Sequence, residues 1–380
     1  MVVQVLVAMS GGVDSSVAAA LLAEQGHEVV GATLKLWGGP SSSGCCSAAD
    51  VQDARRVAAS LGIDHYVFSD TEVFDEMVVR PYVESHVAGA TPNPCIACNL
   101  HLKFGLLLER ATRLGFDALA TGHHARIEAR PSGARLMRGV DAAKDQSYVL
   151  APLAQSVLER ILLPVGELTK REVRDKAARL DLCTAAKPDS QDVCFVAPGG
   201  GRVRFLADRM ALHEGELVDA ESGEVVGSVD ALELVTPGQR RGLGAGPGGT
   251  RRYALQVDVS ARKVLVGDVS RARASRVALS DLRWCAAPPE GPARVLAQAS
   301  AHGPALPGAL VLGTPGWRAP GSNVTCDAVL TYDDRQRLVA PGQTVAFYDP
   351  ASPDLVIGAA TCVDFPAVLE TAGCNDAAAC

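Results

Sequence analysis

Between residue 2 and about residue 200, short apolar runs alternate with longer stretches whose apolar side chains recur at helical spacing. Runs at 3–8, 29–36, 65–68 and 118–121 predict strands. Stretches at 15–24, 48–61, 100–114 and 170–180 predict helices, the last capped by Thr169. Gly26 and Gly62 follow two of these helices closely enough to stop them. Strand–helix alternation of this kind predicts an α/β region built on a doubly wound parallel sheet.

After Pro198-Gly199-Gly200-Gly201 the pattern changes to short β-branched runs between closely spaced turn residues. Residues 215–218, 224–227, 253–259 and 264–267 read as strands, and the region reads as all-β. From about 278 to 363 the same style continues, with expected Pro-Gly turns at Pro307-Gly308, Pro320-Gly321 and Pro341-Gly342, as in a small β-barrel. The expected organisation is therefore an α/β domain over 1–201, a small β-rich central domain over 202–275, a C-terminal β-barrel over 276–365 and a disordered tail over 366–380. The tail is alanine-rich, mildly acidic and without periodicity.

Composition supports several buried cores: 380 residues, 48% hydrophobic and 21% charged, are too many for one ordinary domain. The N-terminus lacks a basic n-region and its first apolar run is soon broken by glycines. Nothing later approaches the roughly 20 apolar residues of a membrane span, so a cytosolic protein without membrane contact is expected. In that setting the 11 cysteines are read as thiols or small buried hydrophobes. A net charge of −7 argues against a generally basic nucleic-acid binder. Yet Arg240, Arg241, Arg251, Arg252, Arg262, Lys263, Arg271, Arg273 and Arg276 crowd one stretch against Asp258 and Asp268 only. A phosphate-binding surface and a solvated arginine face explain this stretch equally well.

The chemistry begins at Ser10-Gly11-Gly12-Val13-Asp14-Ser15-Ser16, set between the first strand and the first helix. Adjacent glycines allow the backbone to turn tightly against an anion, and the helix N-terminus and serine hydroxyls supply further donors. Asp14 is a poor direct phosphate contact, so its expected task is to hold Mg²⁺ or orient the loop. The loop has neither a Walker ending nor dinucleotide-fold spacing. It resembles the pyrophosphate loop of ATP pyrophosphatases, which split ATP into AMP and pyrophosphate while activating a carbonyl oxygen.

Two cysteine contexts extend the resemblance: 91–99, Thr-Pro-Asn-Pro-Cys-Ile-Ala-Cys-Asn, and 187–195, Lys-Pro-Asp-Ser-Gln-Asp-Val-Cys-Phe. With Thr121-Gly122-His123-His124-Ala125-Arg126, Lys144-Asp145-Gln146-Ser147-Tyr148, the Thr236–Gly244 motif and Pro341-Gly342-Gln343, the chain resembles the tRNA-specific 2-thiouridylase family from residue 5 to about 350. That resemblance implies ATP-dependent replacement of the wobble uridine 2-oxygen by sulfur, with ATP and Mg as cofactors. The implied partners are tRNA and a persulfide donor, either a cysteine desulfurase or a relay protein. The residue types suit such chemistry. A carbonyl oxygen leaves poorly unless adenylated, a cysteine persulfide delivers one activated sulfur, and a second thiol releases it by leaving a disulfide.

By the same resemblance Cys194 is the persulfide cysteine and Cys98 the other catalytic cysteine. The implied ATP site is Ala8, Met9, Ser10, Gly11, Gly12, Val13, Asp14, Ser15, Leu34 and Gly122. Asn93, Pro94 and Cys95 would meet the target base. His123, Lys144, Asp145, Gln146 and Gln343 would touch tRNA, joined by Arg240 and Arg241 of the basic stretch.

Three features depart from the family pattern. Cys95 stands where many members carry aspartate, Gln298–Gly303 replaces an aromatic, basic segment, and Gly44-Cys45-Cys46-Ser47 is extra. Cys95, Cys98 and Cys194 could together ligate a [4Fe–4S] cluster; the cluster-free persulfide route is preferred because it needs only the two matched cysteines. Rival readings are another ATP pyrophosphatase acting on a small molecule, and a non-catalytic tRNA-binding protein.

Overall fold

The computed structural model describes residues 2–36, 47–189, 193, 195–196, 201–314, 317–318 and 325–364. Cys45, Cys46, Cys194, the Pro320-Gly321 dipeptide and the 366–380 tail lie outside them.

The N-terminal region is built on five parallel strands in the order β3-β2-β1-β4-β7: β1 Gln4–Ala8, β2 Glu28–Lys35, β3 His65–Ser69, β4 Ala118–Thr121 and β7 Ile161–Leu162. Strand alternation sends Val5, Val7 and Met9 to one face and Leu6, Ala32, Leu34 and Leu119 to the other, and both faces are buried. On the first face lie α1 (Val13–Glu24), α2 (Ala48–Leu61) and the helix Lys170–Arg179. Ser47 with Asp50, and Thr169 with Glu172, form capping boxes that start the last two. Each such cap contributes about 1 kcal/mol. Helical turns over 71–87 and 94–113 cover the opposite face with Phe74, Val78, Leu102 and Leu107.

Both of these latter helices depart from regular α geometry. The first, unmarked in the sequence, widens to π-helix at Asp75–Val79, just before Pro81, whose ring and missing N–H cannot be fitted into an undisturbed α ladder. The second starts at Pro94 rather than 100 and is π-helical over Cys98–Leu107.

The expectation of an all-β region from about 201 needs correction, because Gly201–Ala207 is helical and buries Phe205 and Leu206. Beyond it β8 (Gly215–Asp219), β9 (Val225–Val229), β10 (Tyr253–Asp258) and β11 (Lys263–Gly267) form a sheet in the order β10-β11-β8-β9.

The last region is a closed six-stranded barrel of β12 (Arg273–Trp284), β13 (Ala293–Gln298), β14 (Leu306–Leu312), β15 (Ala328–Arg337), β16 (Thr344–Asp349) and β17 (Ser352–Asp364). Their order is β12-β15-β14-β13-β16-β17, and β12 pairs with β17 to close the ring. Pro307-Gly308 is not a turn: Pro307 lies in β14 opposite Leu296, one residue before pairing with β15 begins at Gly308. A proline is tolerated there because no second strand demands its N–H. Pro341-Gly342 does turn, with Gly342 at φ +84°.

A hairpin inside the α/β region, β5 (Ala125–Glu128) and β6 (Arg135–Arg138), joins the barrel sheet through Leu355 opposite Met137. Arg138 stacks on Tyr348, with its guanidinium 3.7 Å from the ring centre.

Candidate active site

In an open parallel sheet ligands bind beyond the strand C-termini where the order reverses, here between β1 and β4. Ala8 and Thr121 end these strands opposite each other, and Leu34 lies near the end of β2. The Ser10–Ser15 loop leaves from this point. Gly11 has φ +72°, and a Cβ there would fall 2.2 Å from the Asp50 carbonyl oxygen. Ser15 Oγ accepts from the Ser10 N–H at 3.1 Å and contacts the Gly12 carbonyl oxygen at 3.2 Å, closing the loop on itself. Gly122 is no ordinary turn glycine either. A Cβ on it would lie 2.5 Å from the Ser15 nitrogen, so the β4 exit presses against the start of α1.

Beside the loop is a charged cluster. Lys170 Nζ donates to both Asp14 oxygens at 2.7 Å and pairs with Asp189 Oδ1 at 2.9 Å. His124 Nε2 lies 3.1 Å from Asp14 Oδ1. Burial alone would push the Asp14 carboxyl up, but the bonds from His124 and Lys170 outweigh it and hold it below the ordinary value. Asp189 also accepts from Lys144 and Arg174. Against opposing desolvation, Lys144 and Lys170 hold it down at about 2. Lys187 Nζ reaches the Gly11 carbonyl oxygen, Asp50 and Asp53, tying the approach to Cys194 to the underside of the loop.

Cys98 is buried and Cys95 exposed, on the helix whose N-cap Asn93 accepts from the Cys95 N–H at 3.0 Å. Cys98, Leu34 and Phe195 belong to one core cluster, where Phe195 packs edge-on against Phe74 and Tyr82. The residue after Cys194 is therefore anchored in the core that holds Cys98. Cys194 itself lies outside the described residues. Among those described, no group of three or more His, Cys, Asp or Glu side chains could hold a metal ion.

The residues expected to touch tRNA have varied surroundings. Arg240 and Arg241 are exposed, and no carboxylate among the described residues pairs with them. Lys144 is committed to Asp189. Asp145 accepts from Arg138, the Gly139 and Ser147 N–H groups and the Ser147 hydroxyl. Gln146 is exposed, its Oε1 accepting from the His124 N–H. His123 is buried 2.7 Å from the Thr121 hydroxyl, and burial pushes its pKa well below the usual imidazole value. Gln343 donates to the Thr91 carbonyl oxygen.

Sequence reasoning gave no role to Lys170, His124, Arg174 or Asp189. His124 and Asp189 do lie inside the quoted motifs, and Lys170 carries a local signal: a cation in the first turn of a helix opposes the helix dipole and needs a compensating anion.

A glycine loop at the switch point of this sheet, backed by the ion-paired cluster of Asp14, Lys170 and Asp189, defines an α/β enzyme of the ATP-pyrophosphatase type. Family models described as tRNA methyl transferase HUP domain and tRNA methyl transferase PRC-barrel domain match residues 3–198 and 203–268. The tRNA-specific 2-thiouridylase MnmA of Acidothermus cellulolyticus is 44% identical over 368 residues, covering 94% of this chain and 97% of that protein. The same-named proteins of Mycobacterium tuberculosis (44% over 370 residues, 94% of this chain and 96% of that protein) and Streptomyces avermitilis (43% over 369 residues, 94% of each) are similar. The chain belongs to the tRNA-specific 2-thiouridylase family and is by class a sulfurtransferase. Among the described residues no helix is long and apolar enough to cross a membrane.

Proposed function

We propose that the protein converts the wobble uridine of tRNAs of the lysine, glutamate and glutamine type to 2-thiouridine, using ATP and a persulfide carried on Cys194. The observation that carries this reading is that Cys98 shares one buried core with Leu34, near the end of β2 on the side where the glycine loop leaves β1, and with Phe195, the residue after Cys194.

The uridine 2-oxygen attacks the α-phosphorus of ATP and pyrophosphate departs. Backbone N–H groups of residues 11–15 and the α1 N-terminus hold the phosphates, while Gly122 lets the exit of β4 pack directly against the start of α1 and so fixes the place of the loop. Asp14, whose two oxygens here face Lys170, would be the carboxylate to hold Mg²⁺, a hard cation that would neutralise phosphate charge, and Lys170 would then be placed to face a phosphate oxygen. The terminal persulfide sulfur attacks C2 and AMP leaves. Cys98 thiolate then attacks Cys194 Sγ, breaking the S–S bond to the transferred sulfur and leaving a Cys98–Cys194 disulfide for an external thiol to reduce. Arg240 and Arg241 suit contacts to tRNA phosphates, which fix register while the pocket handles the extruded base.

The test supplies purified tRNAs, labelled ATP and a persulfide donor and follows AMP and 2-thiouridine together. Both should form only with tRNA present. AMP formation on a small-molecule acceptor without tRNA would refute the reading.

A further inference from the structure

Three segments far apart in the chain meet at Thr91, two residues before Asn93. The Thr91 N–H donates to the Pro341 carbonyl oxygen at 2.8 Å, and the Thr91 carbonyl oxygen accepts from the Gln343 side-chain amide. The Thr91 hydroxyl lies 3.1 Å from that of Thr236 in the central β region. The fit is tight: a Cβ on Gly342 would lie 3.2 Å from the nitrogens of both Thr91 and Pro92, so the barrel turn rests directly on the loop backbone. Gln343 is itself fixed, its N–H donating to the Ala340 carbonyl oxygen and its own carbonyl oxygen accepting from the Cys362 N–H.

The held segment has no regular structure between Ala88 and Asn93. Its anchors therefore set where the following residues stand, and those residues are Asn93, Pro94, Cys95 and, one helical turn on, Cys98. Every direct bond to Thr91 named above comes from one of the two β regions.

We infer that Gln343 and Thr91 are positioning residues, and that Gln343 acts on the reaction through the Thr91 backbone, setting the loop that meets the target base, instead of by gripping tRNA. This rests on the tRNA 2-thiolation reading. The two β regions then have a second task besides binding: they complete the catalytic loop of the α/β domain. A displacement of about 1 Å at such a site can cost on the order of a hundredfold in rate.

The test uses the full-length protein with purified cognate tRNA. Gln343→Leu removes the amide and keeps the bulk, and Thr91→Val removes only the bond to Thr236. The rate of AMP formation at saturating tRNA, the tRNA Kd and the thermal midpoint are measured for each. The inference expects Gln343→Leu to lose at least about tenfold in saturating rate with Kd changed by less than about twofold, and Thr91→Val to show a smaller loss in the same direction. A raised Kd with unaltered saturating rate would identify Gln343 as a direct tRNA contact and overturn the inference; unaltered rate and Kd would overturn it as well. If Gln343→Leu fails to fold, Thr91→Val decides by the same split. Absence of 2-thiouridine from the wild-type reaction would instead refute the underlying reading.

Discussion

Lys170 Nζ stands 2.7 Å from each carboxylate oxygen of Asp14, a residue 156 positions earlier in the chain. The same ammonium touches Asp189 on the approach to Cys194. One cation is thus shared between the nucleotide loop and the segment leading to the expected persulfide cysteine. Lys170→Met should abolish most AMP formation and lower stability by about 2 kcal/mol, less than for a fully buried pair because Asp14 remains 30% exposed. Wild-type AMP formation by Lys170→Met would remove Lys170 from the nucleotide site.

Gly122→Ala places a methyl where the backbone of Ser15 already stands. ATP affinity should fall at least tenfold, while tRNA binding measured without ATP stays near wild type. Equilibrium binding of a non-hydrolysable ATP analogue reads the difference.

Asp189 titrates near 2 in the folded protein, below the ordinary aspartate value of about 3.9. The sign follows from linkage. A depressed carboxylate contributes stability that is present above about pH 4 and lost as pH falls towards 2. Denaturant midpoints for wild type should fall over that window, and Asp189→Asn should flatten the fall while lowering stability at pH 7. An unchanged acid limb would count against the cluster.

Most of the parallel sheet was legible because β1, β2 and β4 are apolar on both faces and glycines end the helices between them. The hairpin 125–138 was not. Arg126, Glu128, Arg130 and Arg135 give it a polar pattern, and its partner strand β17 lies far down the chain. Pro307-Gly308 misled for the opposite reason, since local turn chemistry was overridden by pairing to β13 and β15. In the site, the glycine loop announces itself through spacing. The Lys170–Asp14–Asp189 cluster depends on tertiary proximity, which no local pattern records.

Cys194→Ser should abolish 2-thiouridine formation and leave tRNA-dependent AMP formation largely intact, because adenylation uses the loop and not the thiol. Cys95→Asp should retain thiolation, whereas Cys98→Ser should not. Iron and labile-sulfide analysis of anaerobically purified protein accompanies both, and activity that follows bound iron and disappears in Cys95→Asp would overturn the cluster-free route.

Removing Arg240 and Arg241 together should weaken tRNA binding evenly across cognate tRNAs and flatten the log–log salt dependence by roughly two units. Affinity measured at several salt concentrations separates phosphate contacts from a solvated arginine face, for which the curve would not move.

The pairing of β6 with β17 sets an order of assembly. Arg126 on β5 bonds to Asp354 across 228 positions, so the hairpin emerges from the ribosome long before its neighbour is synthesised. Until then the β6 edge is bare, and an unpaired edge invites pairing with other chains. Truncations that stop before residue 352 should therefore be aggregation-prone even though they retain every residue of the nucleotide site, and a soluble, isolated α/β domain will require deletion or capping of residues 125–138.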